Sequence, residues 1–105
     1  MNTTIQKALE VDEVTCVIPT LNEYSTVAEV VNRARLFTNR VVVVDGNSED
    51  GTSEMASNAG AYVILQDGKG KGMALRTVFR IINSDIYVIV DGDATYNFII
   101  HISPK

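Results

Sequence analysis

The sequence predicts an α/β fold: a doubly wound, mostly parallel sheet with helices on both faces. Four short apolar runs recur along its 105 residues, at positions 14–19, 40–45, 61–66 and 86–91. They are rich in β-branched residues and lack polar alternation, which is typical of strands that are buried on both faces. Stretches with helical periodicity separate the runs. This alternation implies right-handed crossovers between parallel strands.

The first predicted helix follows the first strand. Its apolar residues repeat at helical spacing and are Val27, Val30, Val31 and Ala34. Thr26 and Glu29 have the spacing of a capping box, in which the threonine hydroxyl would cap the helix N-terminus.

Two more helices complete the alternation. Residues 51–60 predict a short second helix, and Gly60 is well placed to end it. The third helix would stop near Asn83. Its apolar stripe comprises Ala74, Leu75, Val78, Phe79 and Ile82.

The composition indicates one globular domain. The chain is 46% hydrophobic and 21% charged, and we expect residues 1–12 to be a peripheral extension and residues 13–105 to form the domain. The net charge of −4 gives no reason to expect a nucleic acid partner. Local groups would therefore have to hold any anionic ligand.

Two residues that often carry chemistry are better interpreted as structural. Cys16 lies inside an apolar run and has no disulfide partner, and His101 lies in an apolar tail.

The N-terminus lacks the apolar core of a signal peptide, and no apolar stretch approaches the roughly 18 residues of a membrane span. We expect a cytoplasmic protein, with peripheral contact with a membrane left open.

Polar loops follow the four predicted strands. They read "PTLNE", "DGNSEDGT", "DGKGKG" and "DGDATY". Ligands of open parallel sheets bind beyond the carboxyl ends of the strands, so these loops should meet at one edge.

The last loop places Asp91 and Asp93 on either side of Gly92. Two carboxylates about 4 Å apart repel by roughly 4 kcal/mol at an effective dielectric of about 20, so something should offset the repulsion. One interpretation is a solvated turn. The other is a site for Mg²⁺ or Mn²⁺, completed by substrate phosphates, with Gly92 leaving room for a close ligand.

The other loops also have two interpretations each. The loop "GKGKG", with Lys69 and Lys71, is either a flexible basic loop or a phosphate site where backbone N–H groups open a helix. It matches neither a Walker A motif nor a dinucleotide fingerprint. The first two loops supply four polar residues, which would either form helix caps and turns or bind a base or ribose. These residues are Asn22, Glu23, Asp45 and Asn47.

Taken together and in this order, the motifs resemble the N-terminal half of a GT-A fold, family 2 glycosyltransferase, in the group of dolichyl-phosphate mannosyl- and glucosyltransferases. The motifs are "VIPTLNE", "VVVVDGNSEDGT", "GKGKGMALR" and the Asp-x-Asp (DXD) motif "DGD", within about residues 14–96.

The resemblance implies a site for a UDP- or GDP-sugar with Mg²⁺ or Mn²⁺. Asp91 and Asp93 would hold the metal, Asp45 would contact the base, and Lys71 would lie near the phosphates. The whole implied set is Pro19, Thr20, Leu21, Asn22, Glu23, Asp45, Gly46, Asn47, Lys71, Gly72, Asp91, Gly92 and Asp93. The acceptor would be a polyprenyl (dolichyl) phosphate at a membrane surface.

The resemblance has limits. In the family, prolines and an acidic residue follow "TY", whereas this chain reads "NFIIHISPK". No residue matches the family's catalytic base, so we expect a donor-binding half with unknown catalytic residues and negligible transfer alone. A non-catalytic nucleotide-binding module is the main alternative. A sugar-phosphate nucleotidyltransferase would need a glycine-rich signature near the N-terminus, which is missing.

The apolar tail predicts a homodimer. Its residues are Phe98, Ile99, Ile100 and Ile102. The tail would pair as an extra strand or pack as a short helix. An exposed apolar patch or an open strand edge usually marks an interface, and a twofold pairing is the commonest closed arrangement.

Overall fold

The computed structural model describes residues 13–95 and 97–103. The predicted extension at residues 1–12, Tyr96 and residues 104–105 lie outside the described residues. Within these ranges the chain forms β1 (Val14–Thr20), α1 (Val27–Ala34), β2 (Arg40–Asp45), α2 (Thr52–Asn58), β3 (Tyr62–Leu65), α3 (Lys71–Ile81), β4 (Ile86–Val90) and β5 (Phe98–Ile102). The predicted alternation of strands and helices is confirmed.

The strands form a sheet in the order β3-β2-β1-β4-β5. β1 pairs in parallel with β2 and β4, and β2 pairs in parallel with β3. β5 runs antiparallel to β4, with Ile100 opposite Val88. The prediction of a mostly parallel sheet is confirmed, and the tail that the sequence left open between strand and helix is a strand.

Each face of the sheet carries its own core. Ile18 of β1 packs with Val27 and Val31 of α1 on one face, where α2 also contributes. The next residue along the strand, Val17, packs with Val78 of α3 on the other face. Neighbouring residues of β1 therefore point into different cores, which explains why its apolar run has no polar alternation. The prediction of helices on both faces is confirmed.

The start of α1 differs from the prediction. The predicted apolar stripe is buried, but the Thr26 side chain makes no capping hydrogen bond. Its hydroxyl instead donates to the Gly92 carbonyl at 2.6 Å. The Glu29 side chain lies 3.9 Å from that of Arg33 one turn later. The predicted capping box is wrong, because Thr26 accepts no hydrogen bond from a helix N–H and the Thr26 N–H donates to the Glu23 carbonyl.

The other helices end close to their predicted stops. Gly60 follows α2 with φ of 104°, a left-handed value that suits glycine. α3 ends at Ile81, just before the predicted stop at Asn83. Phe79 is 37% exposed, and its ring stacks on His101 with centroids 4.7 Å apart. The structural role of His101 stays a prediction, which this stacking supports.

The lone cysteine is also structural. Cys16 is fully buried, and burial raises the pKa of its thiol to about 12. A neutral thiol of this kind is a weak nucleophile.

The described helices have between seven and eleven residues, and in this part of the chain no helix combines the length and apolar character that crossing a bilayer requires.

Candidate functional site

The loops that follow β1, β2, β3 and β4 meet around a cleft of about 560 Å³. This arrangement matches the expectation that the carboxyl ends of the parallel strands converge at one edge. The cleft is lined by Pro19, Thr20, Leu21, Glu23, Gly46, Gln66, Lys69, Gly70, Ala74, Asp91, Gly92 and Asp93.

Hydrogen bonds join the loop after β1 to the loop after β2. The Asn22 backbone N–H donates to Ser48 Oγ at 2.8 Å, and Asn22 Oδ1 accepts from the Glu49 N–H at 3.0 Å. The Glu23 N–H donates to Thr52 Oγ1 at 2.9 Å. These contacts hold one wall of the cleft in a fixed position before any ligand arrives.

Asp45 forms the centre of this wall. Its side chain is 1% exposed, and its carboxylate accepts hydrogen bonds from the Thr20 hydroxyl, the Ser53 hydroxyl, and both the backbone N–H and hydroxyl of Ser48, at 2.6 to 3.0 Å. Burial by itself would raise the pKa of Asp45, but these hydrogen bonds outweigh burial and lower the pKa below its ordinary value of 3.8. Asp45 is therefore an ionised, fully hydrogen-bonded anchor beneath the cleft, and its contact with a base stays a prediction.

Asp50 organises the start of α2 from the same loop. Its carboxylate accepts hydrogen bonds from the backbone N–H and the hydroxyl of Thr52, and also from the Tyr24 N–H at 3.2 Å. The helix cap itself is Gly51. Asp50 thus stabilises the turn that leads into α2.

The turn after β4 brings Asp91 and Asp93 into the cleft. Asp93 Oδ1 accepts hydrogen bonds from the Thr95 N–H at 3.1 Å and the Thr95 hydroxyl at 2.8 Å. Ala94 has φ of 66°, a left-handed value that costs roughly 1 to 2 kcal/mol for a residue with a Cβ. The turn is held in one shape at some cost in backbone strain, as is common at functional sites.

Gly92 has a different role from the predicted one. A Cβ at this position would lie 2.8 Å from the Thr20 methyl carbon and 3.2 Å from the Pro19 carbonyl. The space beside Gly92 is thus filled by the end of β1. Its missing side chain lets the turn approach β1 closely, and the prediction that it leaves room for a ligand is corrected on this point.

The acidic residues of the cleft fit a divalent cation. Burial raises the pKa of Glu23 above its ordinary value of 4.5, and the negative charges of Asp93, Asp50 and Asp91 raise it further. Carboxylate oxygens are the ligands that Mg²⁺ and Mn²⁺ prefer, and a cation would offset this excess negative charge. In residues 13–95 and 97–103, no three His, Cys, Asp or Glu side chains are grouped to hold a metal by themselves. The remaining ligands would therefore come from substrate phosphates or water.

The glycine loop after β3 forms the opposite wall. The Gln66 side-chain amide donates to the carbonyls of Gly68 and Gly70, at 3.1 Å each. Gly70, the residue before α3, has φ of 92° and ψ of 158°, a conformation that only glycine adopts readily. Lys69 lines the cleft beside the start of α3. The loop therefore places the positive charge of Lys69 and the N-terminus of α3 across the cleft from the acidic turn.

The structure brings together most of the predicted site. Of the predicted residues, those that line the cleft are Pro19, Thr20, Leu21, Glu23, Gly46, Asp91, Gly92 and Asp93. Those that do not line it are Asn22, Asp45, Asn47 and Gly72. The Lys71 side chain lies outside the described part of the chain. Gln66, the last residue of the third apolar run, was missed, and Lys69 belongs to the predicted glycine loop but not to the implied set.

Comparison with known proteins identifies relatives. The model of glycosyl transferase family 2 matches residues 15–99. Glycosyltransferase AglJ of Haloferax volcanii is 46% identical over 88 residues, which are 81% of this chain and 29% of AglJ. A dolichyl-phosphate hexose transferase of the same organism is 34% identical over 81% of this chain and 38% of its own length.

A solved structure is similar over the same region. The glucosyl-3-phosphoglycerate synthase of Mycobacterium tuberculosis, in complex with Mn²⁺, UDP-glucose and phosphoglyceric acid, superposes with a TM-score of 0.74 at 27% identity. The match covers 84% of this chain and 36% of that chain. The present chain thus spans about a third of the length of these proteins.

Proposed function

The chain belongs to glycosyl transferase family 2, and on this premise we propose that its cleft binds a nucleoside-diphosphate sugar together with Mg²⁺ or Mn²⁺ and holds the sugar for transfer to an acceptor. One observation carries the proposal. A turn with two carboxylates, Asp91 and Asp93, faces a glycine loop with Lys69 across one cleft at the carboxyl edge of the sheet. A diphosphate bound with a metal needs both, because the carboxylates can hold the metal and the glycine loop with its lysine can hold the phosphates.

Each wall of the cleft takes one part of the donor. Pro19, Thr20 and Leu21, with Gly46, line the end where the nucleoside would lie. Lys69 and the N-terminus of α3 would attract the phosphates, because the first N–H groups of a helix and a nearby cation both favour an anion. Lys71 stays a predicted phosphate contact, and Gly72 and Asn47 stay predicted members of the site.

Asp91 and Asp93 are the proposed metal ligands. A bound divalent cation would act as a Lewis acid that stabilises the departing nucleoside diphosphate. The chain itself contributes the fixed turn, because Thr95 orients Asp93 and the close contact at Gly92 fixes the backbone between the two carboxylates. Because the turn is already fixed, metal binding would not have to pay for ordering it.

The donor is a UDP- or GDP-sugar in this proposal. The solved relative with UDP-glucose and Mn²⁺ supports UDP, because its match covers 84% of this chain. We propose a polyprenyl phosphate as the acceptor, supported by the dolichyl-phosphate hexose transferase relative. The catalytic base stays unassigned, and a cytoplasmic location with peripheral membrane contact stays a prediction.

Calorimetry with UDP, UDP-glucose and GDP-mannose tests the donor site. Binding should require Mn²⁺ or Mg²⁺, and it should disappear with a chelator or in Asp93→Ala. Asp67→Ala is the matched control, because Asp67 is an exposed carboxylate that pairs with Arg80 of α3 and lines a separate cavity. Equal affinity with and without metal would contradict the metal site.

Acceptor-dependent release of nucleoside diphosphate separates a transferase from a binding module. A chain that binds the donor but releases no UDP when dolichyl phosphate is added would support the non-catalytic alternative. We expect little transfer by this chain alone, because none of its residues matches the catalytic base of the family.

We also propose that the chain forms a homodimer through β5. All five residues of this strand are exposed, and Phe98, Ile99, Ile100 and Ile102 are each more than half exposed. β4 occupies one edge of β5, and among the described residues no strand pairs with the other. An open edge with apolar side chains on both faces favours pairing with another strand.

A further inference from the structure

We propose that Thr26 is a positioning residue for the metal-binding turn, acting through the carbonyl of Gly92. The inference rests on the proposed function, because it concerns the turn whose two aspartates would hold the cation. Thr26 belongs to the start of α1 and Gly92 to the loop after β4, so 66 positions separate them in the sequence.

The contact is short and directional. The Thr26 hydroxyl donates to the Gly92 carbonyl oxygen at 2.6 Å, while its distance to the Glu23 carbonyl oxygen is 3.4 Å. The Gly92 peptide lies between the two carboxylates, so fixing its carbonyl limits rotation of the backbone that carries Asp93. One hydroxyl thus acts on the residue between both proposed ligands.

The position of Thr26 at the start of a helix makes this use of its hydroxyl informative. At such a position a threonine oxygen usually accepts a hydrogen bond from an N–H of its own helix. Thr26 makes no such bond and has φ of −122° and ψ of −21°. The hydroxyl donates to the turn after β4, and α1 receives no capping hydrogen bond from this side chain.

The end of β1 holds the turn from the other side. The Thr20 methyl and the Pro19 carbonyl fill the space where a Cβ of Gly92 would lie. Thr20 is itself held by its hydrogen bond to Asp45 at 2.8 Å. Gly92 is therefore held between β1 and Thr26, and Thr26 supplies the polar contact. Removing its hydroxyl leaves the packing in place and releases only the carbonyl.

Thr26→Val and Thr26→Ser test the proposal in the 105-residue chain. Valine keeps the shape of threonine without the hydroxyl, and serine keeps the hydroxyl without the methyl. Mn²⁺ affinity in the presence of UDP, followed by the Mn²⁺ electron paramagnetic resonance signal, should weaken about fivefold to tenfold in Thr26→Val, the size expected for one neutral hydrogen bond. Thr26→Ser should stay within about twofold of the unchanged chain.

Amide hydrogen exchange gives a second measurement that needs no ligand. Exchange at residues 92–95 should accelerate in Thr26→Val and not in Thr26→Ser, with the strands of the sheet unaffected. Ser25→Ala is the matched control, because Ser25 is the exposed neighbour on the same turn. If Thr26→Val does not fold, Thr26→Ala compared with Thr26→Ser makes the same distinction.

Different failures have different meanings. Normal Mn²⁺ affinity and normal exchange in folded Thr26→Val would overturn the positioning role alone. Equal losses in the valine and serine variants would overturn it too, because the methyl group would then be the part that matters. No Mn²⁺ or UDP binding by the unchanged chain would overturn the proposed function and this inference with it.

Discussion

The Thr20 hydroxyl donates a hydrogen bond to Asp45 Oδ1 at 2.8 Å, and this contact joins the carboxyl ends of β1 and β2 beneath the cleft. Both residues are at least 95% buried. Four donors from three residues surround the Asp45 carboxylate, two of them from Ser48. Hydrogen bonds to a charged group are worth about 1.5 to 3 kcal/mol each, so this residue contributes to stability as well as to the shape of the site.

We therefore expect Asp45→Ala to lower the free energy of unfolding by about 3 kcal/mol or more, because it leaves buried donors without an acceptor. Urea denaturation followed by circular dichroism measures the change. Asp67→Ala should cost less than about 1 kcal/mol, since Asp67 is exposed and pairs only at the surface with Arg80. Similar losses in both variants would mean that Asp45 is not an anchor.

The stabilisation by Asp45 should depend on pH. Its folded-state pKa lies below the ordinary value of 3.8, because hydrogen bonds from Ser48, Thr20 and Ser53 outweigh the opposing effect of burial. The unfolded chain therefore binds the proton first, and the stabilisation is fully present above about pH 4 and lost as the pH falls through the folded-state pKa.

Urea midpoints between about pH 2 and about pH 6 check this dependence in the unchanged chain and in Asp45→Asn. The difference between the two should be largest above the ordinary pKa and should shrink below it. A difference that stays constant across the range would show that the carboxylate charge makes no contribution.

Local patterns predicted most of the fold. The β-branched runs predicted the parallel strands because the central ones, β1 and β2, are buried on both faces, and helical spacing predicted the buried stripe of α1. Because ligands bind at the carboxyl edge of such sheets, we expected Asp91, Asp93 and Glu23 to lie together, and all three line one cleft. The apolar tail stayed open between helix and strand because periodicity does not separate them over five residues.

Long-range contacts explain what the sequence did not predict. Thr26 was expected to cap its own helix, and its partner Gly92 is distant in the chain. The predicted set included Lys71, whereas Lys69 lines the cleft. The choice between the two lysines depends on where the loop ends and α3 begins, which is at Lys71. Asp45 ends its strand at the predicted edge of the sheet, but the depth of its burial depends on three hydroxyl partners.

Two glycine substitutions should change stability in opposite directions. Gly92→Ala should destabilise the chain by about 1 to 3 kcal/mol, because the added Cβ would lie 2.8 Å from the Thr20 methyl carbon. Gly72→Ala lies within α3 and meets nothing within 4 Å, so it should stabilise by up to about 1 kcal/mol through helix propensity. Thermal unfolding of both variants checks the signs, and a neutral Gly92→Ala would contradict the close contact with β1.

Lys69→Ala should weaken UDP binding about fivefold to tenfold and leave uridine binding unchanged, because only UDP carries the diphosphate that a cation attracts. The loss should shrink as salt is added. Calorimetry with both ligands in Mn²⁺ measures it, and Lys71→Ala in the same assay tests the sequence prediction. Arg76→Ala is the control, since Arg76 lines a separate cavity on α3. An equal loss of uridine affinity would place Lys69 at the nucleoside instead.

The exposed edge of β5 leads to the last prediction, a concentration-dependent dimer. Antiparallel pairing of two copies about Ile100 would place Ile99 of each copy opposite His101 of the other and extend the sheet across both chains. Such pairing would satisfy the backbone groups of the open edge and cover apolar side chains on both faces. The strand carries neither an acidic residue, a lysine nor a proline, the residues that usually protect an edge from pairing.

Light scattering at micromolar concentrations should give about twice the mass of the chain. Ile100→Lys should shift the mass toward that of a monomer, because the twofold arrangement would bring two lysines face to face without a counter-charge. Leu65→Lys is the matched control: Leu65 is 60% exposed and lies on β3, at the opposite edge of the sheet from β5. Equal effects of the two substitutions would assign the dimer to another surface, and a monomer at every concentration would show that the open edge of β5 does not pair with a second copy.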